Sequence, residues 1–193
     1  MDRKEILLTG AGGQGILFFG RVLGTAAIQK GKRVVSTPSY GAAVRGDVVQ
    51  CGVIISDQEI HDPVVDDADI VVALNKGSLQ RFGSHVKEGG TVICKGSEGT
   101  SAFIGSIDKR FQLISVPLDD LGNELGTKRY HNMIAMGAYL QVDPGLDIDL
   151  IREALIKNLK KRGNESLIKE NLDAIQAGID WYRRSKGQSN VQW

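Results

Sequence analysis

A short apolar run, Glu5-Ile-Leu-Leu-Thr9, stops on Gly10-Ala-Gly-Gly-Gln-Gly15, after which Ile16, Phe19, Leu23, Ala26 and Ala27 recur at helical spacing. No other stretch constrains the fold as much, because a strand entering a long helix through a glycine turn is the opening of an α/β sheet. Gly31 closes that helix, and Arg33-Val-Val-Ser-Thr37 forms a second strand ending at Pro38, so a parallel βαβ opening is expected. The third strand, Val48 to Ile55, is separated from the second only by Pro38–Asp47. A parallel crossover needs about a dozen residues or more, so that segment reads as an irregular loop and the sheet as mixed.

The α/β pattern resumes with a strand over Asp69–Leu74, a helix around Ser78 to Val86, and strands over Gly90–Lys95 and Gln112–Val116. From Arg129 onward the spacing is helical. Ile134, Gly137, Ala138 and Leu140 share one face; Asp147 is placed to cap a helix carrying Leu150, Ile151, Leu155 and Leu159; Asn164 is placed to cap another with Leu167, Ile168, Leu172, Ile175 and Ile179 inward. The expected architecture is a Rossmann-like three-layer α/β/α domain with a mostly parallel, mixed sheet and a helical C-terminus. One domain is expected over residues 1–186, with a loose tail over 187–193.

Composition narrows the partners. Lys+Arg 24 against Asp+Glu 23 leaves a net charge of +1, which gives no field to draw in nucleic acid or anionic lipid. No apolar run approaches the ~18 residues of a membrane span. Met1 to Glu5 lead straight into the first strand without an apolar leader, from which a cytoplasmic location is expected. Cys51 and Cys94 form no Cys-x-x-Cys, and His61, His85 and His131 are scattered, so neither set signals a metal or iron–sulfur site.

Gly10, Gly12 and Gly15 satisfy G-x-G-x-x-G, with free N–H groups at a helix N-terminus facing any anion placed there. Three readings stand side by side: a nicotinamide or flavin site, close packing of helix on strand with no ligand, and another phosphate-bearing or cofactor-proximal role. Against the first, the ribose-binding acid expected some 20 residues on is absent, since Ser36, Thr37 and Pro38 occupy its place. Gly13 and Gln14 also depart from ordinary dinucleotide loops. In Pro38–Gly46, proline and glycine account for a turn, but Arg45 adds a planar charged fork, and with the glycine loop it would make an anion clamp.

These residues carry a resemblance. Gly10-Ala-Gly-Gly-Gln-Gly15, then Ser39-Tyr-Gly41 with Arg45-Gly46, resembles the gamma subunit or domain of the 2-oxoacid:ferredoxin (or flavodoxin) oxidoreductases, as do Asn75 at a strand end, Asn132-Met133 with Gly137, and Asn171-x-x-Ala174 with Gly178. Ala42-Ala43-Val44 and Asp47 depart from that pattern, where an acidic residue and a second glycine are common. The resemblance implies a subunit of an enzyme complex that converts a 2-oxoacid and CoA into acyl-CoA and CO₂, with electrons passing to ferredoxin. Thiamine diphosphate, Mg²⁺ and iron–sulfur clusters are then expected on partner subunits, with no catalytic residue or metal ligand here and an inactive isolated chain. CoA or interface binding is expected to fall on Gly10, Gly12, Gly13, Gln14, Gly15, Ser39, Tyr40, Gly41, Arg45, Asn75 and Asn132. The substrate, pyruvate, 2-oxoglutarate or another 2-oxoacid, is left open. The contrasting reading is an independent nucleotide-binding or regulatory protein.

If the chain docks onto other subunits, uncovered apolar surface is expected around Pro38–Gly46 and Met133–Leu140, with a homodimer when it is alone. The remaining features have plain structural readings. Arg129 and His131 stand at a helix start, where solvation of the helix end explains them. Trp181 and Tyr182 belong to the core or a subunit contact, and Lys157, Lys160, Lys161 and Arg162 sit near a helix C-terminus, where the dipole favours cations.

Overall fold

The first strand is buried on both faces, and the rest of the fold is arranged around it. In the computed structural model, which describes residues 3–40, 48–96, 111–127 and 129–188, β1 (Arg3–Ala11) lies near the middle of one sheet. Ile6 and Leu8 face one apolar cluster and Leu7 faces another, as the two-residue period of a strand requires. The other strands are β2 (Arg33–Tyr40), β3 (Val48–Ser56), β4 (Ala68–Ala73), β5 (Val86–Lys95) and β6 (Gln112–Val116), in the order β2-β3-β1-β4-β5-β6.

The mixed sheet is as expected, and β1, the helix after it and β2 form the expected parallel crossover, with one strand inserted between the two strands. β1 and β2 are not neighbours: β3 lies between them, antiparallel to both, with Ala11 opposite Val48 and Tyr40 opposite Val49. The reason is the connection. The short segment between β2 and β3 returns the chain antiparallel beside the strand it has just left, and the crossover helix α1 (Ile16–Gln29) must then span one extra strand. β1, β4, β5 and β6 run parallel, so their C-terminal ends share one edge of the sheet.

The two faces are covered unequally. On one, α1 joins α3 (Leu118–Glu124), α4 (His131–Val142), α5 (Ile148–Lys160) and α6 (Ile168–Gln188) over the larger core cluster. On the other, Leu79 of the seven-residue α2 (Lys76–Phe82) packs with Leu7, Ala68, Val71 and Val92. The helix expected to reach Val86 therefore ends at Phe82, and Val86 already belongs to β5. Asp147 does cap α5, its Oδ1 accepting from Leu150 N at 2.9 Å. Asn164 instead precedes a 3₁₀ turn, Glu165–Leu167, without a side-chain cap.

Met133–Leu140 calls for a further correction. All eight residues are buried, because α4 is the central helix of the thicker layer and no docking face. The sequence shows the apolar residues of this stretch but not the helix that covers them. Gly137 and Gly178 meet where α4 crosses α6. A Cβ on either would collide with backbone of the other helix, at Ile175 O and Ile134 O respectively, so only glycine admits this approach. Trp181 and Tyr182 are half-buried against the same cluster.

Candidate functional site

The shared C-terminal edge of the parallel strands carries the candidate site. Thr9, Ala73, Cys94 and Ser115 lie at one level across β1, β4, β5 and β6, so the glycine loop, Asn75, Lys95 and the start of α3 all emerge together. α/β sheets bind ligands along this edge.

Within the loop, Gly13 and Gly15 adopt positive φ, 90° and 74°, and Gly15 is the N-cap of α1. Gln14 folds back: its Oε1 accepts from Ala11 N at 2.6 Å and from Asn75 Nδ2 at 2.7 Å, and its Nε2 donates to Leu74 O at 3.4 Å. Asn75 in turn caps α2, its Oδ1 accepting from Ser78 N at 2.8 Å. A Cβ on Gly10 would lie 2.8 Å from Ile16 Cδ1 and 2.9 Å from Gln14 Oε1, so a side chain there would displace the Gln14 amide or the end of Ile16. On the far side, Asn132 Nδ2 donates to Gly15 O at 3.2 Å, and a Cβ on Gly15 would collide with that nitrogen. Gln14, Asn75 and Asn132, drawn from a span of more than a hundred residues, thus hold one turn.

The network answers part of the site expectation. Gly10, Gly12, Gly13, Gln14, Gly15, Asn75 and Asn132 are brought together, with the amide side chains bracing the loop and Gly12 and Gly13 exposed to solvent beyond it. Ser39 stands apart on β2, opposite Gln50, and lines a shallow cavity of about 210 Å³ with Leu7, Pro38 and Val64. Tyr40 is described by its backbone alone, and Gly41 and Arg45 lie outside the described residues. Both ends of their segment are nonetheless at the site's level, since Val48 is paired to Ala11 and Tyr40 to Val49.

Residues 5–181 match the family model described as pyruvate ferredoxin/flavodoxin oxidoreductase. The chain belongs to that family. Among its relatives, ketoisovalerate oxidoreductase subunit VorA of Methanothermobacter marburgensis is 34% identical over 94% of this chain, which spans 37% of that protein's length. 2-Oxoglutarate synthase subunit KorC of the same organism is also 34% identical, over 91% of this chain and 95% of its own. Among solved structures, the keto/oxoacid ferredoxin oxidoreductase gamma subunit of Geobacter sulfurreducens superposes with a TM-score of 0.76 at 25% identity, over 94% of this chain and 99% of that one. The 2-oxoglutarate:ferredoxin oxidoreductase of Magnetococcus marinus, with 2-oxoglutarate, coenzyme A and succinyl-CoA bound, shares the fold with a TM-score of 0.82 at 21% identity, and this chain covers 32% of that one.

Among the described residues no group of three or more His, Cys, Asp or Glu is placed to hold a metal. Cys51 and Cys94 are buried on different strands, and burial pushes both thiols up, Cys94 to about 12, against weaker opposing hydrogen bonds from Ser36 and Ser115. Neither is a thiolate near neutral pH, so neither is poised as a nucleophile or soft ligand. No described helix is long and apolar enough to cross a membrane.

Two charged residues on the same edge escaped the sequence reading. Lys95 ends β5 and Asp119 lies in the first turn of α3, with Nζ and Oδ2 2.6 Å apart. The signal was available, because charged residues directly after parallel strands fall on the ligand-binding edge. His131, read as a solvated helix end, is instead buried, with Nε2 3.7 Å from Asp119 Oδ1.

Proposed function

We propose that this chain is the gamma subunit of a 2-oxoacid:ferredoxin oxidoreductase, and that it helps to bind CoA and to seat neighbouring subunits along the glycine-loop edge, while thiamine and iron–sulfur chemistry is carried by partners. The observation that carries the reading is the pair of length relations: the same module stands as nearly the whole of KorC and as about a third of VorA. A module found both separate and joined to a larger chain works against that larger chain. The identities to ketoisovalerate and 2-oxoglutarate enzymes are equal at 34%, so the family match favours neither substrate. A complex of this kind operates in the cytoplasm.

Within the complex, exposed N–H groups at Gly12 and Gly13 and the N-terminal end of α1 supply neutral donors and a positive partial charge for a phosphate. Arg45 supplies the charged fork. In the sequence it stands three positions before Val48, which is paired beside Ala11.

The test is co-production with the candidate thiamine-binding and iron–sulfur subunits, followed by CoA-dependent reduction of a viologen dye with each 2-oxoacid. Activity is expected only when this chain is included. Arg45→Ala is expected to raise the KM for CoA by roughly tenfold or more, the scale of one lost charged hydrogen bond. Full activity without this chain refutes the subunit role; an unmoved KM in the variant refutes the CoA role.

A further inference from the structure

The pair Lys95–Asp119 does more than close a surface ion pair, because Asp119 also faces the residue that leads α4 to the glycine loop. Lys95 Nζ donates to Asp119 Oδ2 at 2.6 Å, and Asp119 Oδ1 lies 3.7 Å from His131 Nε2. The imidazole is seated on α3 so closely that a Cβ at Gly122 would stand 3.0 Å from Nε2 and 3.1 Å from Thr127 O. His131 is the first residue of α4, and the next residue, Asn132, donates to Gly15 O at 3.2 Å. A path of contacts therefore runs from the end of β5 through the first turn of α3 to the N-cap of α1, its Asp119–His131 step being a 3.7 Å approach that becomes an ion pair when the imidazole is protonated.

The geometry points to Asp119 as a positioning residue for the glycine loop. Its carboxylate is ion-paired to the end of β5 and faces the buried imidazole at the start of α4, and this packing sets how far Asn132 reaches over Gly15. The positive φ of Gly15 is held from outside by this contact, and the N–H groups at the start of α1 are aimed by it. Without the bridge, α4 keeps its buried length, since Met133 to Leu140 are anchored in the core, but its first turn loses its tie to the sheet edge. The loop should therefore loosen locally, with the remainder of the fold unmoved. The consequence for catalysis rests on the reading that this edge serves CoA.

The experiment compares wild type, Asp119→Asn, Lys95→Met and Lys95→Arg. Amide hydrogen exchange is read on the full chain, and the KM and kcat for CoA on the assembled complex. Asp119→Asn and Lys95→Met are expected to speed exchange in residues 10–18 by about two- to fivefold, the scale of a partly exposed ion pair, with α5 unchanged. Lys95→Arg, which keeps the charge, is expected to restore the wild-type rate. In the complex the same variants should raise the KM for CoA by a like factor while kcat holds. Unchanged exchange in 10–18, or a uniform rise across the chain, overturns the positioning role whatever the kinetics. Faster local exchange with an unmoved KM supports the positioning role and overturns the CoA reading of the edge instead.

Discussion

The two ends of β1 are tied to β4 by opposite means. At the C-terminal end, Gln14 bonds Asn75 and the backbone of Ala11 and Leu74, and Asn132 bonds Gly15 O, all through amides with no formal charge among them. At the N-terminal end, Lys87 Nζ bridges Glu5 Oε2 at 2.9 Å and Asp69 Oδ1 at 3.2 Å, Asp69 Oδ2 accepts from Glu5 N at 2.7 Å, and Arg3 Nε donates to Glu5 Oε1 at 2.7 Å. The difference teaches what each end is for. An ionic clamp only has to hold, and it may weaken with salt and pH at no cost to function. On the proposed reading, in which the loop offers backbone N–H groups to an anion, it must keep its shape without spending charge, and amides do this because they neither titrate nor attract counterions.

The largest effect is expected from breaking the amide end at its tightest point. Gly15→Ala must hold an alanine at φ 74° and push Asn132 off the turn, so it should lower the unfolding free energy by about 2–4 kcal/mol in urea titrations. A loss of only a few tenths would mean the turn relaxes freely and the brace is incidental. Gln14→Ala comes next. It strands Ala11 N and Asn75 Nδ2, at about 1–2 kcal/mol, and its penalty should be the same from mildly acidic to mildly alkaline solution. A penalty that changes across that range would show that a charged group belongs to the network.

Lys87→Met at the opposite end should cost less than about 1 kcal/mol, because that side chain is 41% exposed and its pairs are screened. Burial works against the Lys87 charge, but hydrogen bonds to Glu5 and Asp69 outweigh it and hold its pKa above the ordinary value of about 10.5. A raised lysine pKa means that the folded state holds the proton more tightly than the unfolded one. This contribution is therefore complete below about 10.5 and disappears as the pH climbs through the folded-state value. Wild type and Lys87→Met should converge in stability there, which thermal melts across alkaline buffers would read. Smallest of all, molar salt should shrink the Lys87→Met difference by a few tenths of a kcal/mol and leave the Gln14→Ala difference alone. Equal salt responses at the two ends would erase the distinction.

Much of this was legible in the chain. The strand, glycine loop and helix over residues 5–29 follow from apolar periodicity and from glycines placed where a side chain has no room. The Asp147 cap was readable because capping is decided within four residues. The mixed sheet followed from a connection too short to cross over. Less was legible where partners are distant in sequence. Gln14 and Asn132 could be singled out by type and place, but nothing in the order of residues says that the first spans to Asn75 or that the second rests on Gly15. α4 looked like a docking face because its apolar residues were visible and its neighbours were not.

What the sequence determined by itself is local: which segments are strands or helices, where turns demand glycine, and that the charges balance. These depend on backbone sterics and on apolar spacing within a few residues. The insertion of β3 between β1 and β2, the burial of α4 beneath α6 at Gly137 and Gly178, and the path from Lys95 through Asp119 to Gly15 were decided only by the tertiary structure. Each is a contact between residues far apart in the chain, made favourable by packing the whole core at once, and no local preference encodes it.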